Sequence, residues 1–105
     1  MSNVIELNEG NFEAKVLKSK VPVLVDFHSV FCVPCHAMKS VLAELADDVG
    51  EKAKVFTVEI GTNEALTEKY GIISIPTMIV FSGGKQTARV VGLKSKESLR
   101  KLLEV

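Results

Sequence analysis

The run Val21-Pro22-Val23-Leu24-Val25-Asp26-Phe27 constrains this chain more than any other. Apart from Asp26 it is apolar, with three β-branched valines, and continuous rather than alternating. Such a run reads as a central strand buried on both faces, which calls for helices on each side of a sheet. Phe31-Cys32-Val33-Pro34-Cys35-His36 follows directly, where the strand pattern gives way to a helical one, and it holds the two cysteines of the chain. Thiols at i and i+3 on one helical turn share a face, with Cβ atoms about 5–6 Å apart. A disulfide needs about 3.5–4.5 Å, so a small shift closes or opens the bond. The spacing suggests a reversible dithiol/disulfide centre. The first thiol also meets the unpaired N–H groups and positive dipole end of the helix, which favour the reactive thiolate.

The rest of the chain punctuates readily. Asn3 to Leu7 reads as a short strand, with Asn8 capping a helix that runs to about Leu17. From Cys35 to Val49, the residues Met38, Val41, Leu42, Leu45 and Val49 recur at helical spacing, and Gly50 is a natural stop. Lys54 to Ile60 is a second apolar strand, after which Thr62 or Asn63 caps a short helix ending near Tyr70-Gly71. Thr77 to Phe81 and Thr87 to Val91 flank Ser82-Gly83-Gly84-Lys85 as a β-hairpin. Ser95 caps a last amphipathic helix bearing Leu99, Leu102 and Leu103. The order β-α-β-α-β-α-β-β-α is that of an α/β layer structure, with parallel strand–helix–strand units and an antiparallel closing hairpin.

Composition narrows the function classes. A length of 105 residues fits one domain with a modest core. Thirteen basic and thirteen acidic side chains cancel, which removes a broad electrostatic case for nucleic acid or an anionic membrane. No apolar run is long enough to span a bilayer, and Met1 to Glu6 carries no basic and apolar leader pattern. The expected compartment is the cytoplasm, where a lone cysteine pair is catalytic or metal-binding more often than a structural staple.

Val25-Asp26-Phe27, Cys32-Val33-Pro34-Cys35, Tyr70-Gly71-Ile72 leading to Ser74-Ile75-Pro76-Thr77, Phe81-Ser82-Gly83-Gly84-Lys85 and Val91-Gly92 together resemble the thioredoxin family through nearly the whole chain. The C-x-x-C pair alone is a weak signal, whereas this combination is highly specific. The resemblance implies the thioredoxin fold in one domain over residues 1–105, a central mixed five-stranded sheet flanked by four helices. It also implies reduction of protein disulfides, with Cys32 as the attacking thiol and Cys35 as the more buried resolving thiol. Asp26 would take the proton of Cys35. Burial of a carboxylate at the end of an apolar strand should in any case raise its pKa. A cis Ile75–Pro76 bond is implied, leaving the Ile75 backbone free to pair with an extended substrate. Phe31, Val33, Pro34, Ile75, Pro76, Val91 and Gly92 would form the substrate-facing surface. The implied partners are disulfide-containing proteins and a thioredoxin reductase, using NADPH and flavin or ferredoxin; the exchange needs no bound cofactor or metal, and a monomer is the default state.

The chain departs from the family around the cysteines. Phe31 and His28 stand where tryptophans are usual, Val33 replaces a glycine, His36 a lysine, Ser40 a proline, and Thr57 a buried lysine. Loss of the lysine removes a cation near Asp26 and should leave that acid more strongly biased to its neutral form than in relatives. Valine adds bulk where a partner disulfide approaches, which should narrow target choice. His36 either supports the Cys32 thiolate when protonated or is a plain surface residue. Three other readings of the same residues stay open. C-x-x-C-H matches a haem-attachment pattern, Cys32, Cys35, His36 and His28 could contribute to a zinc site, and the fold could serve as a docking module with incidental cysteines.

Overall fold

The computed structural model describes residues 3–105; of the expected domain, Met1 and Ser2 lie outside the described residues. Strands β1 (Ile5–Leu7), β2 (Val23–His28), β3 (Lys54–Glu59), β4 (Thr77–Ser82) and β5 (Lys85–Val91) form one sheet in the order β1-β3-β2-β4-β5. Helices α1 (Val33–Val49), α2 (Glu64–Lys69) and α3 (Lys96–Leu103) and a π-helical turn at Glu13–Leu17 flank it. The mixed five-stranded sheet with four helices matches the expected fold.

β2 is central and buried on both faces, as its apolar run dictates. Val23, Val25 and Phe27 face the side covered by the π-helical turn and α2, where Phe12, Tyr70 and Phe81 pack with ring centroids 5.5 to 5.8 Å apart. Leu24 faces the other side, against Met38, Leu42 and Leu45 of α1 and Leu99 and Leu103 of α3. Side chains alternate along a strand, so Asp26 and His28 share the α1 face with Leu24. The strand begins at Val23 rather than Val21, because Pro22 has no N–H to give to the ladder; its carbonyl accepts from Lys54 N at 3.0 Å.

Three expectations are corrected. The first helix is a single π-helical turn: Asn8 Oδ1 accepts from Gly10 N at 2.8 Å and Asn11 N at 3.2 Å, holding a turn that delays helix entry, and Lys18 N then bonds Glu13 O at 3.1 Å. Not every strand–helix–strand unit is parallel, since β4 lies antiparallel to β2. A six-residue α2 rises only about 9 Å, too little to return along a strand of about 20 Å, so β4 starts at the end where β3 finished. The second hairpin strand begins at Lys85, not Thr87, because Gly83 and Gly84, at φ 59° and 81°, form a complete two-residue turn. Gly50 ends α1 as expected, with φ 56°.

Candidate active site

Cys32 and Cys35 sit where β2 hands over to α1. Ser29 Oγ accepts from Phe31 N, and Ser29 O from Cys32 N, each at 3.2 Å, so a tight turn presents the first cysteine. Cys32 is the N-cap of the 17-residue helix, in extended backbone conformation, and its Sγ accepts from Cys35 N at 3.2 Å. A sulfur there faces the free N–H groups of the first turn, which stabilise negative charge. Pro34 fits the first turn because its missing N–H would be unpaired anyway. The helix begins at Val33, two residues earlier than its apolar spacing indicated.

The two cysteines form a disulfide with Cα atoms 5.2 Å apart. Their environments differ. Cys32 is partly exposed, whereas Cys35 is 3% exposed and faces the sheet. Cys32 Sγ lies 4.0 Å from the Ile75 carbonyl, and the Ile75–Pro76 peptide is cis, as the resemblance implied. Gly92 N donates to Pro76 O at 2.8 Å, and Thr77 pairs with Val91. These contacts bring the two distant segments to the disulfide.

All the residues expected to face substrate therefore converge, though not alike. Phe31 is 92% exposed and Val33 79%, while Pro34 and Val91 are exposed and Ile75 and Gly92 half-buried. Pro76 is buried, so it supports this surface from below. Ile73, 96% exposed, and Leu93 also stand out as large exposed apolar residues. They lie within three residues of Pro76 and Gly92, and that adjacency was the signal available for them.

Asp26 is 2% exposed, and its Oδ1 has no hydrogen-bond partner among the described residues. Burial raises its pKa from 3.8 to about 7; His28 opposes the rise and Glu6 adds to it. Register sets Glu6, Thr57 and Asp26 in one row across β1, β3 and β2. They line a cavity of about 480 Å³ together with His28, Cys35 and Lys39. His28 Nε2 is 2.9 Å from Glu6 Oε1, which also accepts from Thr57 Oγ1 at 2.6 Å. His36 is turned away from the thiols, with Nε2 on the Val30 carbonyl at 2.8 Å, and fastens the turn before the helix. Both histidines thus have partners other than sulfur, and no group of three His, Cys, Asp or Glu suited to a metal is assembled among the described residues. No helix among them is long and apolar enough to cross a membrane.

A family model described as Thioredoxin matches residues 3–105. Among curated proteins, the chain is 42% identical over 93 residues to "Thioredoxin" of Rickettsia bellii, covering 89% of each chain. It is 39% identical over 104 residues to "Thioredoxin 1" of a Nostoc species, covering 99% of this chain and 97% of the relative. It is also 40% identical over 95 residues to "Bifunctional thioredoxin reductase/thioredoxin" of Mycobacterium leprae, covering 90% of this chain and 21% of the relative.

Proposed function

The chain belongs to the thioredoxin family and is a thiol–disulfide oxidoreductase that reduces protein disulfides, and we propose that Cys32 attacks, Cys35 resolves and Asp26 is the base of the resolving step. The observation that carries this division is the contrast between the helix-capping, partly exposed Cys32 and the 3% exposed Cys35 on the same face of α1 as the cavity over Asp26. In the reduced protein the Cys32 thiolate attacks one sulfur of a target disulfide. A Cys32–target bond forms, the target S–S bond breaks, and the second target sulfur leaves as thiolate and takes a proton from solvent. Asp26 carboxylate then accepts the Cys35 proton. The Cys35 sulfur attacks Cys32 Sγ, restoring the disulfide and expelling the reduced target.

The apolar surface of Phe31, Val33, Pro34 and Val91 would dock the target, with the Ile75 backbone, which lies outside the β4 ladder, pairing with an extended segment beside the disulfide. Pro76 and Gly92 would hold that segment in place. The physiological reductant would be a thioredoxin reductase, NADPH and flavin-dependent or ferredoxin-linked; the Mycobacterium leprae relative unites a thioredoxin reductase and a thioredoxin by name. A single domain acting as a monomer in the cytoplasm completes the reading.

The test is trapping. Reduced Cys35→Ser protein should accumulate a stable mixed disulfide with a disulfide-bearing protein target, and Cys32→Ser should accumulate none. Equal trapping by both variants would overturn the assignment of roles.

A further inference from the structure

Asp26 must lose, between turnovers, the proton it takes from Cys35, yet it is 2% exposed and has an oxygen with no partner among the described residues. The cavity above it offers a route, graded in exposure. His28, two residues on and on the same strand face, has a 13% exposed side chain, and Glu6, 2.9 Å from His28 Nε2, one that is 51% exposed. Thr57 Oγ1 pins the Glu6 carboxylate by donating to the oxygen that also meets the imidazole. We propose that His28 and Glu6 are positioning residues for the resolving step, carrying the proton between Asp26 and solvent. This rests on the reading of Asp26 as the base.

Imidazole is the side chain that takes up and gives back a proton most readily near neutral pH. With Nε2–H donating to Glu6, the other ring nitrogen is the acceptor. A proton leaving the Asp26 carboxyl would cross through water admitted to the cavity that both residues line, add there and give an imidazolium beside the Glu6 carboxylate. The Nε2 proton then passes to Glu6 or to solvent, restoring the neutral ring. No bond other than these N–H and O–H bonds changes. Positive charge on His28 also favours the Asp26 anion, and the structure gives His28 that sense of influence. The charged and titratable groups facing this cavity are Glu6 from β1, Asp26 from β2, and Lys39 and Cys35 from α1. On β3, Glu59 is in register with His28, but its carboxylate accepts from Thr62 Oγ1 at 3.1 Å.

The experiment follows release of a protein target from its Cys32 mixed disulfide against pH, in wild type, His28→Gln, His28→Ala and Asp26→Asn. Alkylation of Cys32 in the reduced proteins serves as the control for the first step. Both His28 variants should move the midpoint for release upward and slow it at pH 6.5 roughly tenfold, as a change of about one pH unit would. Alkylation should be unchanged. Added imidazole should restore His28→Ala specifically, because the cavity has room for it. Unmoved midpoints in both His28 variants, or imidazole accelerating wild type as much as His28→Ala, would overturn the proposal. Slow release in Asp26→Asn alone would leave the base and remove the relay; unaffected release in Asp26→Asn would remove the base itself.

Discussion

Asp26 is the residue whose chemistry follows most directly from its position. It occupies an α1-facing place in the strand that its neighbour Leu24 fills with hydrocarbon. Folding therefore favours its neutral form. The unfolded chain loses this proton near pH 3.8, while the folded chain keeps it to about 7. Across that window the unfolded state binds fewer protons, so stability falls as pH rises and the stabilisation is gone above pH 7. The gap corresponds to on the order of 4 kcal/mol at 1.36 kcal/mol per pH unit. Asp26→Asn should thus gain stability over wild type between pH 4 and pH 8 by an amount of that order, read from urea midpoints at the two pH values. A gain independent of pH would contradict it. The raised acid was legible in the sequence because one carboxylate stands in an apolar run. Glu6 was not, because only the register of β1 on β3 carries it into the same row. The departures at His28 and Thr57 were legible as substitutions, but not the hydrogen-bonded set they form with Glu6.

At the scale of elements, α1 does two jobs: its first turn holds the chemistry and its length anchors it. Leu45, fully buried between α1 and the sheet, should cost about 2–5 kcal/mol on replacement by alanine. Ser95 caps α3 by accepting from Ser98 N at 3.1 Å, and Ser95→Ala should cost about 1 kcal/mol with reductase activity unchanged. Chemical denaturation checks both. Val33 opens α1 almost wholly exposed beside Phe31. Val33→Gly should raise kcat/KM for a bulky folded target more than for a small linear disulfide; equal effects on both would show that valine does not gate access. β-branched runs and the double-glycine turn made the strands readable. The π-helical turn was hidden because five residues are too few to display an i→i+5 period. The reversal of β4 was hidden because direction depends on how far α2 reaches, not on the pattern within β4.

For the whole molecule, the sheet brings three separated segments to one point: the β2–α1 junction, the Ile75–Pro76 loop before β4, and Val91–Gly92 at the end of β5. Each carried a recognisable motif, so the family was legible, but their meeting depends on β2 pairing with β4 and β4 with β5. The arrangement leaves an apolar rim around a single disulfide, with its acid below and a cavity leading away from it. Such a centre is built to be reduced and reoxidised repeatedly rather than to staple the fold.

The equilibrium reduction potential of the Cys32–Cys35 pair, measured by thiol trapping in defined dithiothreitol mixtures, tests that account most directly. It predicts one reversible two-electron couple near the roughly −270 mV known for thioredoxin. A potential near the roughly −120 mV of a strong oxidant, or no reversible couple, would contradict a reductant of protein disulfides.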